Sequence, residues 1–334
     1  MAEGSGKRRK VFPFVTGINL AVVSVIASAA GVVIAVRGEA NGVARVPQIE
    51  TVLSPPSTGF VNYLIVGSDT REGADPNSPD YGGIGDVNET SGRRSDTIIL
   101  MHVDEVLSTI ALTSIPRDLW IEIPGQETNR INTAYGYGEA VLIDTVKTSL
   151  GVPVHHYVEV DFNSFKAIIA AIDGVELCFE YPTRDINTGL NVPVPGCVVL
   201  DSIQSLAYAR SRYFEQFKDG EWQVDGRADL GRIERQQLFF ETAISRSVSQ
   251  VLSNPFRSGE LISAAVESLR VDGGTDLIEM ANAIRPVASG GIVRVPLPVY
   301  ADTVRDKSIL RLAEGSPAIL EYLSGGGDRS LFAN

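Results

Sequence analysis

Lysine is scarce in this chain: of 29 Lys and Arg, only Lys7, Lys10, Lys147, Lys166, Lys218 and Lys307 are lysines. Basic charge is short altogether, since 41 Asp and Glu leave a formal net charge of −12. That balance excludes the nonspecific grip on nucleic acid, which requires a basic surface. Histidine is rarer still, at His102, His155 and His156. The adjacent pair lies in an expected strand and points to opposite faces. With two cysteines besides, there is no zinc motif. A G-x-S-x-G elbow, a P-loop and a G-x-G-x-x-G turn after a strand are absent too, which removes the commonest hydrolase and nucleotide signatures. The 44% apolar content of 334 residues is enough for a real core in one large domain or two ordinary ones.

Residues 11–36 contain no charge at all. A bilayer crossing needs about 20 apolar residues. Lys7, Arg8, Arg9 and Lys10 precede the run and only Arg37 follows closely. The positive-inside rule therefore predicts a cytoplasmic N-terminus (1–10), a transmembrane anchor (11–36) and an extracytoplasmic remainder. A cleaved signal peptide is the rival, with Ala27-Ser28-Ala29 as a small-residue site, but the apolar run continues past it to Val36. Without residues 1–37 the rest is more acidic still.

Residues 38–59, rich in Gly, Pro and Ser, read as a stalk. One folded domain is expected from 60 to 324, with 325–334 as a flexible tail. Strands are expected at 60–66, 98–103, 109–115, 155–160 and 175–181, and helices at 138–150 and 161–174. The pattern continues through 259–269, 277–285 and 292–297, and 305–324 should be helical. This alternation predicts an α/β fold, a mixed central sheet with helices on both faces. Cys178 and Cys197 flank a Pro- and Gly-rich segment. Outside the membrane an even cysteine count favours a disulfide, with two separate buried thiols as the alternative.

Against the acidic background, arginine is clustered. Residues 206–240 carry Arg210, Arg212, Arg227, Arg232 and Arg235. From Asp229 the stretch reads as a helix, with Asp229, Arg232, Arg235 and Gln236 near one face and Leu230, Ile233, Ile244 and Val248 on another. Three expected strands also begin or end on an acid–arginine pair: Asp69 with Arg71, Arg94 with Asp96, and Arg117 with Asp118. Isolated surface ion pairs are the bland reading, each worth roughly 0–1 kcal/mol. Recurrence at strand mouths, together with a long polar loop from Glu72 to Ser91, favours a site. Arginine forks grip phosphate, and carboxylates with phosphate oxygens hold Mg²⁺. The combination suits a polyphosphate ligand.

Six segments in order, N-Y-L-I-V-G-S-D-T-R, R-S-D-T, S-I-P-R-D, R-I-N-T-A-Y, Y-A-R-S-R and D-L-G-R-I-E-R-Q-Q, resemble the LytR-CpsA-Psr family of cell-wall ligases. The resemblance covers about 60 to 240 strongly and extends to about 300. It implies an α/β/α core with an apolar lipid groove beside an arginine-lined pyrophosphate site. The implied activity is an extracytoplasmic phosphotransferase that moves a glycopolymer from a polyprenyl-pyrophosphate carrier to peptidoglycan through a phosphodiester. Carried over by motif, Asp69 and Asp96 hold Mg²⁺, and Arg94, Arg117, Arg210, Arg212, Arg232 and Gln236 grip the pyrophosphate. Asp96, Arg94, Arg117 and Arg232 are the expected catalytic set. Arg71, Arg227, Asp229 and Arg235 are expected on the substrate side, Asp229 alternatively orienting an arginine. The insertion between Arg71 and Arg93 departs from short-loop members. A carrier-lipid pyrophosphatase and a noncatalytic lipid-pyrophosphate binder stay open as other classes, and arabinogalactan, teichoic acid and capsule as the polymer.

Overall fold

The computed structural model describes residues 43–68, 95–226, 269–276 and 292–329, eleven positions between 231 and 246, and residue 280; Asp96 is described in its backbone alone. The expected anchor at 11–36 lies outside these residues, as do Asp69, Arg71, Arg94, Arg227 and Asp229 and nearly all of the segments 259–269 and 277–285. No described helix is long and apolar enough to cross a membrane.

In chain order the first strands are β1 (Ala44–Arg45), β2 (Phe60–Ser68), β3 (Ser95–Asp104) and β4 (Thr109–Ser114), then a short ribbon of β5 (Trp120–Ile121) and β6 (Asn129–Arg130). Helices α1 (Asn132–Gly136) and α2 (Glu139–Ser149) lead to β7 (His156–Val160) and α3 (Phe162–Ala171). Next come β8 (Val175–Phe179), β9 (Thr183–Asp185), β10 (Leu190–Val192), β11 (Gly196–Leu200) and α4 (Ser202–Arg210). The remaining strands are β12 (Glu215–Lys218), β13 (Glu221–Val224), β14 (Arg270–Val271), β15 (Ile292–Arg294), β16 (Val299–Val304) and β17 (Lys307–Leu312), and α5 (Ser316–Leu323) follows them. The described residues between 231 and 246 are helical.

Seven strands form the main sheet in the order β1-β14-β7-β2-β3-β4-β15. It is mixed: β2 runs parallel to β7 and antiparallel to β3. Side chains alternate across it. Leu64, Val66, Ile98 and Leu100 pack on one face against Tyr135, Leu142, Ile143 and Val146 of α1 and α2. Tyr63, Ile99, Met101 and Val103 lie on the other. There α3 covers β7 through Ile168, beside Val158, Val160 and Ile65. Helices thus cover both faces, as the alternation predicts. Asp161 caps α3 by accepting from the Ser164 N–H at 2.7 Å, as an N-terminal carboxylate should.

The expected stalk is different from 43 onward. Val46 and Ile49 are each 1% exposed and belong to the main core. The Val46 N–H donates to Val271 O at 2.8 Å, and Arg45 Nη1 donates to Asp272 O and Thr275 O, both at 2.7 Å. Burying such side chains contributes about 1.5–3 kcal/mol each, which outweighs the loop-like composition. The expected helix at 305–324 is likewise shorter. Residues 299–312 form the β16–β17 hairpin, turning at Arg305 (φ 50°) and Asp306 (φ 61°). Two successive left-handed residues match the twist of a two-residue hairpin. The expected tail also starts packed: a Cβ on Gly325 would collide with the Phe60 ring. Arg329 Nε stands 3.6 Å from the buried Asp104 carboxylate.

Cys178 and Cys197 face each other across the β8–β11 pair and are joined as a disulfide. In the chain-entropy view a loop of this size contributes about 3 kcal/mol.

A polar cluster fills the end of the main sheet where β2 begins. His102 Nδ1 meets Asn62 Oδ1 at 2.7 Å, and the Asn62 N–H donates to His155 Nδ1 at 2.9 Å. His156 faces the other way, with Nδ1 2.9 Å from Thr275 Oγ1.

Candidate active site

The opposite end of β2 opens into a cavity of about 300 Å³. Its floor is the sheet, from Ile65, Gly67, Ser68, Thr97 and Val160. Phe162 and Phe165 of α3 and Leu206 of α4 add an apolar wall. Arg210, Arg212, Arg232 and Gln236 converge on the same space. One part is greasy and another carries three guanidinium groups.

Each of these side chains is placed by a local feature. Gly67 is needed because a Cβ there would come within 2.9 Å of Thr97 Cβ. The pairing of β2 and β3 shifts at this point: Gly67 pairs with Thr97 and Ser68 with Ser95. Asp96 is therefore the extra residue of a bulge, a device that re-aims the chain beside active sites. Ser68, which accepts from Tyr135 OH at 3.1 Å, directly precedes Asp69 in the chain. The backbone thus brings the neighbours of both expected metal-binding aspartates to the cavity.

Gln236 donates to Thr97 Oγ1 at 3.0 Å and to Ala209 O at 2.9 Å, tying its helix to β3 and to α4. Arg232 is one helical turn earlier, on the same side, and is 2% exposed. Arg210 ends α4, with its guanidinium 4.6 Å from the Phe162 ring centre. Burial pushes the neighbouring Tyr208 up to about 12, an effect that Arg235 opposes.

Two expected site residues are not among the residues that line the cavity. Arg235 Nη1 donates to Asp225 Oδ2 at 2.8 Å, Nη2 donates to Ser211 O at 2.9 Å, and the group stacks on Phe214 at 4.4 Å. It braces the wall and is not among the lining residues. Arg117 also lies outside the lining. Its Nε is 3.6 Å from Asp118 Oδ2, and Arg130 Nε is 3.4 Å from Asp118 Oδ1. The expected Arg117–Asp118 contact exists, but it shares its acid with Arg130.

Sequence reading missed Asp161 and Asp185, both of which line the cavity. Asp185 had one local signal, the run Asp185-Ile-Asn-Thr-Gly189, a turn-forming pattern. Among the described residues no group of three or more His, Cys, Asp or Glu could hold a metal.

These features define an α/β protein with a cavity at one end of its sheet in which an apolar wall meets three guanidinium groups. Comparison with known proteins gives the family. The LytR_cpsA_psr family model matches residues 35–316, and the chain belongs to that family. A similar curated protein is the "Probable cell wall biosynthesis protein LcpB" of Corynebacterium glutamicum. It is 31% identical over 250 residues, 74% of this chain and 56% of that one. Another is the "Polyisoprenyl-teichoic acid--peptidoglycan teichoic acid transferase TagU" of Halalkalibacterium halodurans, 32% identical over 59% of this chain and 61% of that one. The match thus spans under two thirds of these relatives' length. Among solved structures, the LytR-Csp2A-Psr enzyme from Actinomyces oris aligns with a TM-score of 0.65 and 26% identity, over 84% of this chain and 96% of that one. The structure described as TagT bound to LI-WTA shares the fold at a TM-score of 0.60 and 20% identity, over 85% and 97%.

Proposed function

We propose that this protein transfers a glycopolymer from a polyprenyl-pyrophosphate carrier to peptidoglycan, leaving a phosphodiester. The observation that carries this reading is one cavity whose apolar wall meets Arg210, Arg212 and Arg232. Family membership supports it, as does the printed activity of the TagU relative. The lipid lies along Ile65, Val160, Phe162, Phe165 and Leu206, and the pyrophosphate sits on the guanidinium groups and Gln236. A peptidoglycan hydroxyl attacks the phosphorus on the glycopolymer side. The new P–O bond forms as the anhydride bond breaks, and polyprenyl phosphate leaves with that electron pair. The hydroxyl proton passes to a carboxylate, with Asp96 as first candidate. The arginines stabilise the charge that builds on the phosphoryl oxygens. Asp69 and Asp96 would hold Mg²⁺, which supplies further charge neutralisation when bound. The bulge at Asp96, paired beside Ser68, supports that assignment through the backbone.

The test supplies the full-length protein with lipid-pyrophosphate-linked glycan, with and without peptidoglycan oligomers. Glycan joined to the acceptor is expected. Release of polyprenyl phosphate with no joined product selects the pyrophosphatase, and neither product sinks both enzymatic readings.

The apolar, charge-free run at 11–36 with its basic N-terminal flank supports a single-pass anchor that holds this site outside the cell membrane. A topology reporter joined after Gly59 is expected to be active only outside, in protein retained by membranes. Mature protein released with a new N-terminus near Ala30 contradicts the anchor.

A further inference from the structure

Asp185 is 0% exposed yet borders the cavity. Its carboxylate is fully engaged. Oδ2 accepts from Ser211 Oγ at 2.7 Å and from the Tyr213 N–H at 3.0 Å. Oδ1 accepts from the Asn187 N–H at 2.9 Å and the Thr188 N–H at 3.3 Å. The first pair brackets Arg212 in the chain, and the second belongs to two further lining residues.

Ser211 lies between the two arginines and is itself buried. It ends α4 with an extended backbone (φ −60°, ψ 122°), so the chain leaves the helix between Arg210 and Arg212. In addition to the bond from its hydroxyl to Asp185, its N–H donates to Tyr208 O at 3.2 Å. Its carbonyl accepts from Arg235. Residues two apart normally diverge by about 200° around a helix. The break at Ser211 is what allows Arg210 and Arg212 to serve one cavity.

We propose that Asp185 is the positioning residue of the arginine clamp. Through Ser211 and the Tyr213 amide it sets the direction of Arg212 relative to Arg210, and through Asn187 and Thr188 it shapes the facing wall. It makes no contact with the reacting atoms. The inference rests on the pyrophosphate reading of the cavity. A clamp built from two arginines on either side of a fixed break recognises two linked phosphates better than one. The property at stake is therefore discrimination between polyprenyl pyrophosphate and polyprenyl monophosphate.

The experiment measures binding of these two lipids, in detergent, to the full-length protein and to Asp185→Asn and Ser211→Ala. Asparagine keeps one carbonyl acceptor and turns its N–H₂ toward a backbone N–H that needs an acceptor, at Tyr213 or at Asn187 and Thr188. Asp185→Asn is expected to lower the preference for the pyrophosphate about tenfold, equivalent to about 1.4 kcal/mol. The monophosphate affinity should change little. Ser211→Ala should act in the same direction, and the double variant should be no worse than Asp185→Asn alone. In transfer, KM for the donor should rise more than kcat falls. A folded Asp185→Asn with unchanged preference overturns the proposal. So does a fall in kcat alone that removes one limb of the pH–rate profile, since Asp185 would then act on the reaction itself. Where Asp185→Asn does not fold, an unchanged preference in Ser211→Ala overturns it. Wild-type protein that binds neither lipid instead removes the pyrophosphate reading of the cavity.

Discussion

Arg232→Ala is expected to cut transfer by about 10²–10³, the usual loss when one preorganised donor to a developing charge is removed. Arg232 lines the cavity, is almost wholly enclosed, and stands one turn from Gln236, which is pinned to β3 and α4. Its helix is thus fixed before substrate arrives, and low local dielectric magnifies the effect of its charge. Arg232→Lys should recover little, because an ammonium lacks the planar fork. Arg235→Ala separates positioning from binding. Its bonds go to Asp225 and Ser211 O, so its main effect should be lower thermal stability. Arg311, paired with Asp302 on the β16–β17 hairpin, is the control, and Arg311→Ala should transfer normally. Arg270 is unsuitable for that purpose because it is bonded to the buried Glu159 at 2.9 Å. Initial rates with lipid-linked donor decide the matter. A folded Arg232→Ala enzyme working at wild-type rate removes this arginine from the mechanism.

Acid should unfold the protein in two stages. Burial lowers His102 to about 4, and Asp104, 4.0 Å away, offsets this only in part. Burial, with help from His156, lowers His155 to about 4 as well. The Asn62 N–H already donates to His155 Nδ1, so protonating that nitrogen breaks a buried bond. Unfolded histidine titrates near 6.5. Between pH 6.5 and 4 the unfolded chain therefore binds more protons than the folded one, and stability is lost as the pH is lowered. His102 alone costs about 3 kcal/mol across this window, and His155 acts in the same direction. That is a large part of a typical total of about 5–15 kcal/mol. Asp272 adds a lower stage. Burial pushes its carboxyl up, but hydrogen bonds from His156, Thr275 and the Tyr157 N–H prevail and hold it at about 2. Its contribution is complete above the usual aspartate value and is lost as pH falls from there toward 2. Urea midpoints measured from pH 7 to 4 should decline, and His102→Asn should flatten that decline whatever its absolute stability. A constant wild-type midpoint over this range contradicts the account.

Local pattern revealed much of the frame. Near-continuous apolar runs located β2, β3 and β4, because a sheet covered on both faces buries side chains of both orientations. The four-residue spacing of Arg232 and Gln236 placed both on one side of a helix. Arg235, three residues beyond Arg232, read as a third member of that set. Asp225, Ser211 O and the Phe214 ring, which meet it through the fold, hold it in the wall. The segment 43–53 read as stalk because its few apolar residues lack a regular period. Val46 and Ile49 find their partners on distant parts of the chain.

By itself the sequence determined the α/β class, the order of the early strands, the clustering of its arginines and the pairing of its two cysteines. These follow from composition, short periodicities and motif order, which are local properties. The tertiary structure alone decided that Asp185 anchors Ser211, that Asp96 sits in a bulge beside Ser68, and which apolar residues share a cavity with which arginines. Each depends on contacts between residues far apart in the chain, and hydrogen-bond direction and burial exist only once those residues have met.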